Sequence, residues 1–165
     1  MNAVVLGHVC IDHNESENAT YTAAGSPAVF INKIYSQLPD VKTLVIAPYG
    51  KDFLDFKKDL PLVPLENIPE TTLVYENISK ENRRSQKALN LENASPPILD
   101  ETSIGSLKET DICFVAPLTP SFEKNYLESA FSNLKKRCVK VLIPQCYYRN
   151  YDSENNVIPR EFEEE

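Results

Sequence analysis

The chain has 165 residues, of which 42% are hydrophobic and 25% are charged, and this composition excludes collagen-like, low-complexity and wholly disordered proteins. Its 17 basic residues are outnumbered by 24 acidic ones, and the net charge of −7 at pH 7 repels nucleic-acid phosphates. No apolar run reaches the roughly 18 residues of a membrane-spanning helix, so neither nucleic acid nor a membrane is an expected partner.

Glycine and cysteine patterns narrow the function further. The four glycines stand far apart, and neither Gly-x-Gly-x-x-Gly nor Gly-x-x-x-x-Gly-Lys-Ser/Thr occurs, so the sequence holds no glycine-rich phosphate loop. The four cysteines include no Cys-x-x-Cys pair, which favours free thiols over disulfides or a zinc site. The N-terminus lacks the basic flank and long apolar core of a signal peptide, and we expect a cytoplasmic protein.

The first elements follow from hydrophobic patterning. Contiguous, β-branched apolar residues over 3–11 predict a strand buried on both faces. Residues 13–22 lack apolar periodicity and predict either a loop or a short exposed hairpin. A helix is expected to begin with Ser26 as its N-cap and Pro27 at its first position. Its apolar residues at helical spacing are Val29, Phe30, Ile34 and Leu38.

The middle of the chain continues with a second buried strand over 42–48 and a short amphipathic helix over 51–60. The apolar side of that helix is formed by Phe53, Leu54 and Phe56. Residues 71–76 and 85–89 are typical of strands, and the polar stretch between them predicts an antiparallel pair that extends a sheet or forms a flap.

After a Pro96-Pro97 break, residues 111–115 predict a strand, Thr119-Pro120 begins a helix that runs to about Lys136, and residues 139–143 predict a further strand. This alternation predicts an α/β fold with a mostly parallel sheet covered on both faces. We expect a single α/β domain over 1–165, with flap or lid segments at 13–24 and 71–90.

Asp12 is the strongest candidate for a ligand contact. It follows the first predicted strand, and in open α/β sheets ligands bind beyond the carboxyl ends of the strands, where a carboxylate accepts hydrogen bonds from a polyol. The alternative is a solvated aspartate that caps a turn.

Other chemistry around Asp12 has weaker support. Alternation along a strand would place His8, Cys10 and Asp12 on one face, with His13 next in sequence, but a structural zinc site needs four ligands and no second cluster is nearby. A cysteine nucleophile with a histidine base lacks a nucleophile elbow and an orienting partner. An unrelated α/β enzyme with chemistry at Asp12 and His13 stays open as an alternative.

Two compact basic clusters occur, at Arg83-Arg84 and at residues 135–137. Such clusters are usually solvated, and the second stands at a predicted helix C-terminus, where cations complement the helix dipole. If Arg84 lies on the flap, it is a candidate contact for an anionic substrate.

The motifs of the chain stand in a characteristic order. A buried strand ends in a Gly-x-x-x-x-Asp pattern from Gly7 to Asp12, and a Gly-Gly-x-x-x-Asn-like helix start follows at 24–29. The next strand leads into a Gly-x-Asp pattern from Gly50 to Asp52. In this order the chain resembles the N-terminal, sugar-side half of a ribokinase/PfkB-type carbohydrate kinase, with residues 71–75 similar to the substrate flap and 141–149 similar to the strand and loop after the third crossover.

This resemblance implies a ribokinase-like three-layer α/β/α fold, truncated, with a small β flap. It implies that Asp12 and the glycine pair contact sugar hydroxyls, and the candidate substrate-binding residues are Asp12, Gly25, Ser26 and Arg84. Two departures stand out: Ala24 occupies the position of the first glycine, and Val29 that of a substrate-binding asparagine.

The family's Gly-Ala-Gly-Asp segment does not occur in the sequence. In the family its aspartate removes the acceptor proton, beside a helix N-terminus that stabilises the transferring phosphoryl group. We therefore expect the N-terminal part of an ATP- and Mg²⁺-dependent sugar or nucleoside kinase, catalytically incomplete as this chain and without bound ATP or Mg²⁺. The alternative is a non-catalytic binding module of the same fold that forms a homodimer through its flap or an exposed sheet edge.

Overall fold

A five-stranded parallel sheet forms the centre of the computed structural model, which describes residues 1–57, 59–66, 68–81 and 83–161. Within β1 (Asn2–Gly7), residues 3–7 are all buried, because both faces of the sheet are covered. Contiguous apolar residues are the signature of such a strand. In spatial order the sheet consists of β5 (Leu62–Val63), β4 (Lys42–Ile46), β1, β8 (Ile112–Ala116) and β9 (Val139–Leu142).

Helices cover both faces of this sheet. On one face, α1 (Pro27–Tyr35) packs Ala28 and Ile31 against β1 and β4. On the other, α2 (Glu101–Lys108) and α3 (Lys124–Ser132) contribute Leu107 and Ala130 to a second apolar cluster. The structure therefore has the predicted α/β/α layers, and none of its helices in the described ranges has the length and apolar character needed to span a membrane.

A second sheet of four strands stands beside the first. Of the loop and the hairpin that were the alternatives for residues 13–22, the structure has the hairpin, and the antiparallel pair predicted for the middle region is confirmed. β2 and β6 join these two hairpins in parallel register, with Asp12 opposite Tyr75 and Asn14 opposite Asn77. The spatial order of this small sheet is β3 (Thr20–Gly25), β2 (Cys10–Ser16), β6 (Val74–Lys80) and β7 (Arg83–Leu89). A further short hairpin joins β10 (Arg149–Tyr151) to β11 (Val157–Pro159).

The prediction of one strand over 3–11 was wrong, because the chain leaves the central sheet after Gly7 and enters the small sheet at Cys10. The fully buried His8 side chain lies at the break. It donates from Nε2 to the Ala94 carbonyl at 2.8 Å and accepts from the Leu118 N–H at Nδ1 at 2.9 Å. These two bonds fix the point where the chain changes sheets.

The predicted apolar face of α1 was wrong except at Val29, which packs against the main core. The buried residues on the side of the helix that meets the sheet are Ala28, Ile31 and Asn32. The Asn32 side chain accepts a hydrogen bond from the Thr43 hydroxyl of β4. Tertiary packing therefore outweighs the apolar spacing, and large apolar residues of this segment are exposed: Phe30 by 57%, Ile34 by 63% and Leu38 by 47%.

The amphipathic helix predicted over 51–60 is only a 3₁₀ turn, Lys51–Asp55, in which Phe53 is buried and Leu54 is exposed. Asp52 explains the tight turn, because its carboxylate accepts from both the N–H and the hydroxyl of Thr72. The Gly50 N–H donates to the same hydroxyl at 2.8 Å. The Gly-x-Asp motif thus connects its own loop to the loop at Thr72 by hydrogen bonds.

The third predicted helix begins later than expected, at Lys124 instead of Thr119, and ends at Ser132. The Thr119 hydroxyl explains the delay, since it bonds the Ser121 hydroxyl at 2.9 Å and lies 3.2 Å from His8 Nε2. Sequence patterning missed α2, because only Ile104 and Leu107 are apolar in its eight residues.

Candidate functional site

A cleft of about 430 Å³ lies between the small sheet and the first turn of α1. Leu118 and Gln145 border it, and they follow β8 and β9, so the cleft opens beyond the carboxyl ends of these two strands. This is where ligands bind in open α/β sheets. The small sheet supplies most of the polar lining, through Asp12, Asn14, Asn77, Arg84 and Gln86.

Asp12 is partly buried and faces this cleft. Its Oδ1 accepts a hydrogen bond from Asn77 Nδ2 at 3.3 Å and lies 3.7 Å from the Cys10 sulfur. Burial raises the pKa of the Asp12 carboxyl, while the hydrogen bonds from Asn77 and Cys10 and the charges of Arg84 and Arg149 lower it. The hydrogen bond from Asn77 thus fixes the carboxylate, which can still accept hydrogen bonds from a ligand in the cleft.

Gly25 contributes by being small. It pairs with Cys10 across β2 and β3, and a Cβ atom at this position would lie 2.0 Å from Asp12 Oδ2 and 2.9 Å from the Cys10 sulfur. No side chain fits there unless the carboxylate moves. Gly25 therefore serves the site by leaving room for Asp12, whereas the cleft itself is lined by its neighbour Ser26.

Asn77 connects Asp12 to the second hairpin. Its Oδ1 accepts from Gln86 Nε2 at 2.6 Å and from the Arg84 guanidinium at 3.3 Å, while its Nδ2 donates to Asp12. The cross-strand register places Asn77 directly opposite Gln86. A continuous polar network therefore runs across the small sheet from Asp12 to Arg84.

Arg149 and Tyr75 form a further part of the lining. The Arg149 guanidinium carbon lies 5.8 Å from the centre of the Tyr75 ring, a cation–π distance. The Tyr75 and Tyr151 hydroxyls are 2.7 Å apart and share a hydrogen bond, and both lie within 3.5 Å of the Leu118 carbonyl oxygen. Burial and this pair raise the pKa of Tyr75, so its hydroxyl stays neutral.

Ser26 has an unusual backbone, with φ at 109° and ψ at 155°, a conformation almost restricted to glycine. Its hydroxyl accepts from the Val29 N–H at 3.3 Å and caps α1, as predicted. Ala24, by contrast, is an ordinary strand residue opposite Ile11. The glycine-like backbone at the start of the helix therefore belongs to Ser26 and not to Ala24.

The next two residues of α1 that bear on the site point in different directions. Phe30 borders the cleft, whereas Val29 packs against the main core. An aromatic ring is therefore part of the cleft border.

The metal and nucleophile alternatives are not supported by the geometry. His13 and Asp12 are neighbours on a strand, so their side chains point to opposite faces. The His8 side chain is buried and hydrogen-bonded within the protein, and burial lowers its pKa to about 4. Burial and Asp12 raise the pKa of Cys10, so its thiol stays protonated and is a poor nucleophile. The described ranges hold no group of three or more metal-binding side chains.

Of the predicted site residues, Asp12, Ser26 and Arg84 line one cleft and Gly25 lies directly behind Asp12. The sequence reading missed Asn77, Gln86 and Arg149. The alternation of side chains along the two strands could have indicated Asn77 and Gln86. These polar residues share one face of a hairpin whose register follows from its turn. Nothing comparable marks Arg149.

The sequence has no glycine-rich loop, and the described residues hold no group of three or more side chains of the kinds that coordinate a metal ion.

No family model matches the sequence, and no curated protein matches it significantly. Solved structures do match. One is a sulfate complex of a pyrophosphate-dependent kinase in the ribokinase family, with a TM-score of 0.71 and 21% identity over 99% of this chain and 56% of that one. The chain has a ribokinase-like fold.

Two further matches are similar in kind. A pyrophosphate-dependent myo-inositol-1 kinase converted into a myo-inositol-3 kinase has a TM-score of 0.70, 21% identity, and coverage of 99% of this chain and 54% of its own. An uncharacterized sugar kinase from Pyrococcus horikoshii has a TM-score of 0.63, 11% identity, and coverage of 86% and 52%. The chain thus spans about half the length of the ribokinase-like structures that it matches.

Proposed function

We propose that the cleft is the acceptor site of a sugar or nucleoside kinase, and that this chain is the N-terminal, sugar-side part of that enzyme. The observation that carries the proposal is the Asp12 carboxylate, which faces the cleft with one oxygen held by Asn77 and the other against Gly25. A carboxylate fixed in this way is a strong acceptor for the hydroxyls of a polyol.

The network around Asp12 supports the same ligand class. Asn77 and Gln86 supply amide groups, and Ser26 supplies a hydroxyl, so the lining presents donors and acceptors together. Phe30 adds an apolar ring face at the border of the cleft. Alternating polar groups beside an apolar surface suit a sugar or cyclitol, whose ring has hydroxyl edges and apolar C–H faces.

The phosphoryl donor belongs to the whole enzyme in this proposal. ATP with Mg²⁺ is the donor that the sequence resemblance implies, and pyrophosphate is the alternative, because the matched structures include pyrophosphate-dependent kinases. On its own the chain lacks the Gly-Ala-Gly-Asp segment, and with it a base and an anion hole. We infer that it binds acceptor without phosphorylating it, and that it acts in the cytoplasm.

Calorimetric titration of the chain with ribose, fructose, myo-inositol and adenosine tests the proposal. We expect at least one of these to bind, and Asp12→Asn to weaken that binding by about 10- to 100-fold, the range of a hydrogen bond to a charged group. The matched control is Asp55→Asn, because Asp55 is exposed on the 3₁₀ turn and does not line the cleft. An absence of binding to all four ligands, or equal binding by the Asp12 variant, contradicts the proposal.

A second candidate is a non-catalytic interaction module that forms a homodimer. The observation in its favour is that three large apolar side chains on β3 and α1 are more than half exposed, namely Tyr21, Phe30 and Ile34. Exposed apolar residues of this size, beside an open strand edge, favour association. Sedimentation equilibrium of the chain over a concentration series distinguishes a dimer from a monomer.

A further inference from the structure

The cleft has an unusual charge for this protein. The chain as a whole has a net charge of −7, yet the cleft lining holds two arginines, Arg84 and Arg149, and a single carboxylate, Asp12. The arginines come from separate parts of the chain, β7 and the start of β10. The fold therefore brings two positive charges together in the cleft, although the protein as a whole is negatively charged.

Neither guanidinium is neutralised by a partner in the described part of the chain. The ion pairs found there involve lysines, and Arg84 donates only to the neutral Asn77 amide, at 3.3 Å. Arg149 packs over the Tyr75 ring, a contact that leaves the edge of its guanidinium plane available for hydrogen bonds. Each arginine carries five N–H donors, so most of this capacity is free for a ligand.

We propose that the acceptor carries a phosphate group, bound by Arg84 and Arg149, while its hydroxyls bind Asp12, which Asn77 holds in place. This inference rests on the proposed function and names its substrate class, a phosphorylated polyol. Guanidinium groups match phosphate oxygens in geometry and charge, and two of them in one cleft with one carboxylate leave the lining positive. The carboxylate then selects for the hydroxyl end of the ligand, since it repels the phosphate end.

The same two arginines could instead bind the phosphates of a donor such as pyrophosphate. The two sources make different demands on Asp12. A phosphorylated polyol needs both the arginines and the carboxylate, whereas pyrophosphate has no hydroxyl for Asp12 to accept and is repelled by it. Binding of pyrophosphate should therefore improve when Asp12 is replaced by Asn, and binding of a phosphorylated polyol should weaken.

The experiment is calorimetric titration of the full chain with fructose, fructose 6-phosphate, myo-inositol, myo-inositol 1-phosphate and pyrophosphate. We expect a phosphorylated polyol to bind at least tenfold more tightly than its neutral form. Arg84→Gln and Arg149→Gln should each remove about tenfold or more of that binding, as expected for charge-assisted hydrogen bonds. The matched control is Arg83→Gln, because Arg83 is the exposed neighbour on β7 and does not line the cleft.

Equal affinity for neutral and phosphorylated forms, unchanged by either arginine substitution, overturns this inference and leaves the proposed function standing. Arginine-dependent binding of pyrophosphate alone also overturns it and assigns the arginines to a donor. If no polyol of either kind binds, the proposed function fails as well. Should a variant fail to fold, titration of the parent chain at rising NaCl concentration decides, because the phosphorylated polyol should lose affinity with ionic strength and its neutral form should not.

Discussion

Gly25 lies against the Asp12 carboxylate, and its lack of a side chain is a requirement of the site. A methyl group added there would overlap Asp12 Oδ2 at 2.0 Å. We predict that Gly25→Ala displaces the carboxylate, lowers the free energy of unfolding by about 1–3 kcal/mol and removes ligand binding at Asp12. Chemical denaturation and calorimetric titration measure the two effects separately.

Gly105 provides the matched control for that substitution. It lies on the exposed side of α2, where an added Cβ would meet nothing within 4 Å. Gly105→Ala should therefore raise the free energy of unfolding by about 0.5–1 kcal/mol through helix propensity alone. If both alanine substitutions behave alike, the close approach of Gly25 to Asp12 is not what constrains the site.

His8 makes the stability of the chain depend on pH. Burial lowers its pKa from 6.5 to about 4 in the folded chain, so between these values the unfolded state binds more protons. The free energy of unfolding should therefore be highest above pH 6.5 and fall by about 3 kcal/mol as the pH drops to 4. Urea denaturation at intervals between pH 7.5 and 4 measures this slope.

Substituting each histidine in turn shows which of them causes the pH dependence. His8→Gln removes the titrating ring and should flatten the slope between pH 6.5 and 4, whatever its cost at neutral pH. The control variant is His13→Asn, which removes the other histidine, an exposed one on β2. A slope that survives the loss of His8 assigns the pH dependence to other groups. The aspartates with lowered pKa, Asp100, Asp111 and Asp152, act only at more acidic pH.

At the residue scale, Asp12 was predicted because it follows a run of apolar residues, which is a local signal, although that run is divided between β1 and β2 and Asp12 lies within β2. Asn77 is 65 residues away from Asp12, and their contact depends on the parallel register of β2 with β6, which no local pattern encodes. Arg149 enters the cleft through a turn after β9 that lacks hydrophobic periodicity. Local patterns therefore identify one side of the site, and long-range pairing supplies the rest.

At the scale of elements, the start of α1 combines a cap with a strained backbone. Ser26 caps the helix through its hydroxyl but has a φ of 109° that suits glycine better. We predict that Ser26→Ala, which loses the cap and keeps the strain, lowers the free energy of unfolding by about 1 kcal/mol. Ser26→Gly relieves the backbone strain and loses only about a few tenths of a kcal/mol for the missing cap. The glycine variant should therefore be at least as stable as the parent chain.

Thermal unfolding resolves these two variants, because about 1 kcal/mol corresponds to about 2–4 °C for a chain of this size. The alanine variant should melt below the parent chain. The glycine variant should melt at the parent temperature or above it. A glycine variant that melts as low as the alanine variant means that the cap outweighs the strain at Ser26. The order of the two variants therefore measures which term dominates at the helix start.

Strands were easier to predict than helices in this chain. β4 and β8 were found because buried parallel strands are continuous apolar runs, and the start of α1 was found because Ser26-Pro27 is a local capping signal. The buried face of α1 was not, because the side of a helix that meets a sheet is set by close approach at Ala28 and Ile31. Large apolar residues at helical spacing were therefore assigned to the core although they are exposed.

At the scale of the whole molecule, two apolar surfaces could mediate self-association. The flap surface consists of Tyr21, Phe30 and Ile34, and the edge surface consists of Val139 and Leu142 on β9. Val139 and Leu142 are three residues apart on a strand and point to opposite faces, and the charge of Lys140 between them opposes pairing with another strand. The flap surface has three large apolar side chains that are each more than half exposed, so we expect it to be the stronger contact.

We predict that any dimer of this chain forms through the flap surface and strengthens with salt, because the net charge of −7 on each copy opposes association at low ionic strength. Sedimentation equilibrium at low and at physiological NaCl concentration measures the association constant. The double variant Tyr21→Lys/Ile34→Lys should be monomeric, whereas Val139→Lys/Leu142→Lys should associate like the parent chain. The reverse order places the interface on the edge surface, and a parent chain that stays monomeric at every concentration removes the interaction-module alternative, leaving acceptor binding at Asp12 as the function to be tested.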